Sequence, residues 1–375
     1  MNDPRVDRMA TVLTHHSARI QPGDRVLIEA EPPAEPLVRA LFREILLAGG
    51  HPHLLVSLAG QTTMTGVDDV FLEHANNEQL DYPATFYNLV YEQFESRIRV
   101  HSVTNSKLLM GCDKGKLARR EKATGAVTAV QFRRGADDSF KWVTTLFPTQ
   151  AFAQDSNMSL DEFEHFVFSA CHVEDPDEDA LAYWAGLKTQ QQGIVDALAG
   201  HEVVEVKGPS VDLKLSIKDR IFKNAAGLNN MPDGEVYTGP VEDSIEGHVA
   251  FTYPAVYRGN EVEGVELTFN KGKVVEAKAA RNLAFLQAML ETDEGARYVG
   301  EFAVGLNYGV QNYTKNILFD EKIGGTFHMA LGAGYPETGS KAHSAIHWDM
   351  ICDMTHDSEI RVDGEIFYKD GKFVV

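Results

Sequence analysis

Hydrophobic positions recur along this chain with two different periods, and the change of period divides it. Early on, Val6, Met9, Val12 and Leu13 fall at helical spacing. After the turn at Gly23-Asp24, the run Arg25-Val26-Leu27-Ile28 reads as a short buried strand. Leu37, Leu41, Ile45 and Leu46 mark one face of a second helix, closed by Gly49-Gly50, and another apolar run follows at Leu54-Leu55-Val56. Strands alternating with helices predict a parallel α/β sheet. Further strands are expected over residues 98–103 and 142–146. Ser159 and Glu162 form a capping box ahead of an apolar-striped helix over 163–171. The acidic stretch 174–179, with Pro176, reads as an exposed entry to a last helix over about 180–199 that stops at Gly200.

After Gly200 the period shortens to two. Val211, Leu213, Leu215 and Ile217 alternate with polar residues, as do Val249, Phe251 and Tyr253, and then Val265, Leu267 and Phe269. A turn over 270–273 leads to Val274-Val275, one helix is expected near 281–291, and Asp363-Gly364 and Asp370-Gly371 mark the turns of a terminal meander. The expected organisation is therefore an N-terminal α/β domain with a mostly parallel sheet over 1–200. A strand-rich α+β domain follows over 201–375.

Composition narrows the function. Asp and Glu outnumber Lys and Arg by 55 to 35, a formal net charge of −20, which repels phosphate backbones and excludes nucleic acid as a partner. An acidic field suits a cationic ligand, such as a peptide with a free amino terminus. Cys112, Cys171 and Cys352 lie far apart, without the spacing of a disulfide framework or a thiolate metal site. The start of the chain lacks an apolar run of signal-peptide type, and no stretch approaches the roughly 20 apolar residues of a membrane span. A reduced, cytoplasmic compartment and no membrane association are expected.

The chemistry concentrates in the second half. If Ser344-Ala345-Ile346-His347-Trp348-Asp349-Met350 is a strand, His347 and Asp349 project from one face and can grip one metal ion or each of two neighbours. A satisfied histidine beside an N-cap aspartate is the plainer alternative. Glu235 sits in a loop entering a strand, Glu301 in Gly300-Glu301-Phe302-Ala303-Val304-Gly305, and His328 in the glycine-rich run 324–332. An ionisable group buried in such surroundings must be paired, neutral or metal-bound. Two histidines and three carboxylates suit Zn²⁺, Co²⁺ or Mn²⁺, and Mg²⁺ less well because of the imidazoles. Five ligands exceed what one catalytic zinc uses, whereas two ions sharing a carboxylate would use all five.

These residues carry a resemblance. The segments NMPDGEVYTGP around Glu235, GEFAVG around Glu301, NILFDEKIGGTFHMALGAGYPET around His328 and Tyr335, and SAIHWDM around His347 and Asp349 resemble the metallopeptidase family of aminopeptidase T, aminopeptidase S and PepS. The resemblance covers most of 229–353. In the N-terminal half it is carried only by pattern, with GDRVLIEAE and WVTTLFPTQAFAQ as its sharpest segments. It implies a metal-dependent aminopeptidase acting on short peptides, a homodimer, and a dinuclear centre held by Glu235, Glu301, His328, His347 and Asp349. Tyr335 is implied beside the metals, as a weak ligand or as a hydrogen-bond donor to the tetrahedral intermediate. Glu301 is the first candidate for the catalytic carboxylate, as a bridging ligand or as a base.

The loop between Tyr335 and His347 is short here, where some relatives carry an insertion. Its Glu337, Lys341 and His343 are either pocket residues or ordinary loop polars. The competing enzyme reading is a mononuclear Fe(II) ring-cleaving dioxygenase of dihydroxypyridines on the same scaffold, using only His328, His347 and Asp349. A binding protein that kept the fold, and a cluster of buried salt bridges without metal, complete the alternatives.

Overall fold

In the computed structural model, which describes residues 3–374, the chain forms two compact units. One comprises Met1–Trp184 with Gly227–Pro232, the other Ala185–Ala226 with Asp233–Val375. Where the hydrophobic pattern puts a division near residue 200, the units part within the helix Ala180–Leu198, and residues 227–232 return to the first unit.

The first unit is an α/β layer structure around a wholly parallel sheet. Its strands lie in the order His51–Val56, Arg25–Ala30, Ser96–His101, Lys141–Leu146 and the short Asn230–Met231. The expected helix ending at Gly49-Gly50 spans Glu35–Leu47. It closes as a Schellman motif, with Gly50 N–H donating to the Ile45 carbonyl, Gly49 N–H to that of Leu46, and Gly49 at φ +83°. The capping box of Ser159 and Glu162 opens the helix Leu160–Ala170.

Two expectations change. The apolar run Leu54-Leu55-Val56 is not buried: its strand is the sheet's edge, and Leu54 is 47% exposed. Leu46 likewise faces out, beside the buried stripe of Leu37, Leu41 and Ile45. A 22-residue helix, Lys114–Gly135, also lies where the pattern gave no element.

The second unit is a pair of antiparallel sheets on one core. An eight-stranded sheet runs Lys273–Lys278, Glu266–Asn270, Glu246–Ala250, Val211–Ser216, Val203–Gly208, Glu359–Val362, Glu365–Lys369 and Lys372–Phe373. Both Asp-Gly turns have the positive φ that such tight hairpins need, at Asp363-Gly364 and Asp370-Gly371. A five-stranded sheet runs His347–Asp353, Thr326–Gly332, Val299–Gly305, Glu235–Thr238 and Lys223–Ala225. One of its faces supplies Val236, Phe302, Val304, Phe327, Met329, Leu331, Trp348 and Met350 to a core shared with Val206, Leu213, Val249 and Leu267 of the larger sheet. The other face carries Glu235, Glu301, His328, His347 and Asp349. The chain thus combines a parallel α/β part with a strand-rich α+β part. No helix among the described residues is long and apolar enough to cross a membrane.

Candidate metal centre

Strand alternation places all five predicted ligands on that second face. Glu301 and Asp349 flank Ala330 from opposite sides, His328 and Tyr237 flank Ala303, His347 stands opposite Gly332, and Glu235 opposite Gly305. Directly opposed residues share a face, so four small residues leave room between six functional side chains. A bulge sets the phase. Between Val299 and Glu301 the register slips by one residue, so Val299 points to the core and Glu301 to the site. Gly300 is the inserted residue, and a Cβ there would stand 2.1 Å from the Ala333 carbonyl oxygen.

The ligating atoms converge in three overlapping groups: Glu235, Glu301 and His328; Glu301, His347 and Asp349; and Glu321, His328 and Asp349. Within each group the candidate atoms lie no more than 4.8 Å apart. Glu301 spans the first two. Its Oε1 lies 3.6 Å from His328 Nε2 and its Oε2 lies 3.3 Å from His347 Nε2. His328 Nε2 is also 3.3 Å from Glu235 Oε2, and His347 Nε2 is 3.5 Å from Asp349 Oδ2.

Outer contacts orient these groups. His347 Nδ1 donates to the Ala333 carbonyl at 2.8 Å, which turns its Nε2 toward the carboxylates, the arrangement usual for a ligating histidine. Gln191, fully buried, donates to the carbonyls of Glu235 and Ala225 and so fixes the strand where Glu235 begins it. Tyr335 starts a short 3-10 turn, Pro336–Thr338, with its ring centroid 5.2 Å from that of His347 and 5.5 Å from that of Tyr237.

The electrostatics are lopsided. Of Glu235, Glu301, Glu321 and Asp349, the first and third meet an ammonium, that of Lys322, which donates to Glu235 and lies 2.7 Å from Glu321 Oε1, while Glu301 and Asp349 face His347. Burial pushes the Glu235 carboxyl up to about 8 despite the opposing pull of Lys322. Burial works the same way on Glu301, but His328 and His347 outweigh it and hold that carboxylate below its usual range. Both imidazoles move up against the cost of burial: His328 to about 9, through Glu301 and Glu235, and His347 well above its ordinary value, through Asp349 and Glu301. Burial and the carboxylates raise the Tyr335 hydroxyl far up, so it stays protonated.

A divalent cation fits this set. His328 Nε2, Glu235 Oε2 and Asp349 Oδ1 are buried without a hydrogen-bond partner, an expense that a bound cation would remove. The donors are nitrogen and oxygen, the set suited to Zn²⁺, Co²⁺ or Mn²⁺.

Of the residues the sequence singles out, Glu235, Glu301, His328, His347 and Asp349 come together on this face, and Tyr335 stands beside His347 from the turn that follows. Sequence reasoning missed Glu321 and Lys322, the C-cap of the one-turn helix Ile317–Asp320 and the residue after it. The signal was present: Asp320-Glu321-Lys322 is a charged triplet between apolar Ile317-Leu318-Phe319 and Ile323-Gly324-Gly325. Glu337, Lys341 and His343 are all exposed, and the charge of Glu337 reaches Tyr237.

Residues 2–373 match the family described as thermophilic metalloprotease (M29). Aminopeptidase 2 of Geobacillus stearothermophilus is 26% identical, the match covering 99% of this chain and 95% of that protein. Aminopeptidase T of Thermus thermophilus is 25% identical, over 98% and 95% of the two chains. Among solved structures, wild-type AmpT from Thermus thermophilus superposes with a TM-score of 0.84 at 22% identity, over 99% of each chain. The 2,5-dihydroxypyridine dioxygenase of Pseudomonas putida KT2440 shares the fold at a TM-score of 0.57 and 13% identity, over 100% and 98%. With nearly its whole length matched, and with a metal-ready cluster of the kind such chemistry needs, the chain belongs to the M29 family of thermophilic metalloproteases.

Proposed function

We propose that this chain is an aminopeptidase that removes the N-terminal residue of short peptides at a centre of two divalent ions. Glu235, Glu301, His328, His347 and Asp349 would hold them. The observation that carries two ions is the division of Glu301, whose two oxygens face two different histidines. When bound, such a pair of ions lowers the pKa of a water and polarises the scissile carbonyl.

The chain's own residues do the rest. Glu301 keeps its charge, stands between the two histidines and would be the carboxylate shared by the two ions. Tyr335, protonated throughout the neutral range, donates a hydrogen bond to the oxygen that gains charge as the carbonyl is attacked. The carboxylate surplus draws the cationic amino terminus of a peptide into the face and disfavours a blocked one. The matched aminopeptidases support this substrate class. The dioxygenase shares fold alone, and the contact of Glu235 and Glu301 with His328 favours the peptidase over a single iron on His328, His347 and Asp349.

A homodimer belongs to this reading. Residues 45–67 contain no Asp, Glu, Lys or Arg in a chain of net charge −20, and they carry the edge strand His51–Val56 with exposed Leu46, Leu47, Leu54, Val56 and Leu58. Exposed edges are normally guarded by charge, and an uncharged one suits a second copy that would otherwise be repelled. The three free cysteines support a reducing compartment, the cytoplasm.

The test is hydrolysis of a leucyl reporter amide beside its N-acetylated copy, after chelation and return of Zn²⁺, Co²⁺ or Mn²⁺. Turnover of the free amine alone is expected. Equal turnover of both would contradict an aminopeptidase.

A further inference from the structure

Lys322 is 1% exposed, and its ammonium reaches three carboxylates. It donates to Glu235 Oε1, lies 2.7 Å from Glu321 Oε1, and lies 3.6 Å from Asp233 Oδ1. Its place is fixed from the backbone: Lys322 N–H donates to the Phe319 carbonyl, and its own carbonyl accepts from Asn307 N–H. Asn307 also donates through its side chain to the Asp233 carbonyl at 2.8 Å, which ties the Lys322 segment to the residues just before Glu235.

The division of oxygens matters most. Glu235 gives Oε1 to Lys322, while its Oε2 is buried without a hydrogen bond and faces His328 at 3.3 Å. Glu321 gives Oε1 to Lys322 and joins His328 and Asp349 in the third candidate group. Lys322 therefore sits behind two carboxylates and leaves each with one oxygen for the front. A buried carboxylate without a partner costs several kcal/mol, so a fixed cation is needed whenever a divalent ion is away. A fixed cation so close also repels the incoming ion.

We infer that Lys322 is a positioning residue of the metal centre, a resident cation that holds Glu235 and Glu321 to a single outward oxygen each and weakens ion binding at that end. Glu321 is then a further carboxylate of the centre, beyond the five. Both statements rest on the metal reading above. Charge compensation by Lys322 matters most in the metal-free protein and least in the loaded one.

The test compares the full-length wild type with Lys322→Met, which keeps the length of the side chain without its charge. Thermal unfolding is followed with excess chelator and with saturating Zn²⁺, and Zn²⁺ binding is measured by equilibrium dialysis. Under chelator the variant is expected to lose roughly 5–10 °C. With Zn²⁺ it should unfold within about 2 °C of the wild type. Its apparent Zn²⁺ affinity should rise about tenfold or more, a change that a merely structural ion pair would not produce. An equal loss of Tm in both states, with unchanged affinity, would reduce Lys322 to a structural salt bridge and overturn the inference. If the Met variant fails to fold without metal, Lys322→Gln, which keeps a donor but no charge, must show the same widening between states. A wild type that neither binds Zn²⁺ nor gains Tm from it overturns the metal reading itself, an outcome visible before any variant is made.

Discussion

The two units each bury a carboxylate cluster, and the clusters are balanced differently. In the first unit Glu29 is 1% exposed, with Arg99 Nε at 2.8 Å and Arg97 Nε at 3.7 Å from its Oε2. Burial pushes the Glu29 carboxyl up, but the arginines outweigh it and hold the group below its ordinary range. Tyr91 and Thr144 also engage the guanidinium of Arg97, so two permanent cations there serve one carboxylate, although Glu29 Oε1 and Arg97 Nε are themselves without a hydrogen bond. In the second unit the one ammonium, that of Lys322, serves Glu235, Glu321 and Asp233, Glu301 and Asp349 face the histidines, and four buried donor or ligand atoms find no hydrogen bond. Buried charge by itself therefore does not mark a site. A surplus of one sign, on a face cleared by Ala303, Gly305, Ala330 and Gly332, calls for a cation.

This contrast predicts opposite responses to the same kind of substitution. Glu301→Gln removes the charge of the carboxylate that contacts both histidines. It should lower peptide hydrolysis by roughly 10⁴-fold or more and reduce bound metal, while leaving circular dichroism unchanged. Near-normal turnover would remove Glu301 from its bridging role. Glu29→Gln strips the arginines of their counter-charge and should cost about 3–5 kcal/mol of stability in denaturant titrations. Metal content and the KM for peptide should stay put. Loss of metal in that variant would erase the distinction between the clusters.

A smaller effect follows from protonation. In the metal-free protein His328 rises from 6.5 to about 9 and Glu235 from 4.5 to about 8. The folded state then holds more protons than the unfolded chain, so this share of stability is present at low pH and lost as pH rises. For His328 it is complete below 6.5 and gone above about 9. A bound divalent ion displaces those protons. The Tm gap between metal-loaded and metal-free protein should thus widen by a few degrees between pH 6.5 and 9, read by thermal scans under chelator and under Zn²⁺. A gap that narrows would reverse the sign.

The ligand face was legible because strand alternation makes it so. An ionisable residue inside an apolar run, as with Glu301 and His328, cannot be buried without a partner, and His347 and Asp349 two apart share a face in any strand. The reach of Lys322 was not legible, because it follows a one-turn helix whose direction depends on tertiary contacts with Asn307. Nor was the bulge at Gly300, which alternation alone would have phased the other way. Leu54-Leu55-Val56 misled for a related reason: an apolar run looks the same at a sheet's edge as at its centre. The helix Lys114–Gly135 escaped because its buried face holds only Leu117, Val127 and Val130 among apolar residues of any size, with Arg120 buried beside them. Arg120 is satisfied there by the carbonyls of Thr63 and Tyr82.

The carboxylate surplus is proposed to seat two ions. The most direct measurement is a count of ions bound per chain as Zn²⁺, Co²⁺ or Mn²⁺ is returned to chelated protein, alongside hydrolysis of the leucyl amide. Activity should be absent without metal and complete at about two ions per chain. Full activity in the chelated protein, or saturation at one ion, would contradict the proposal.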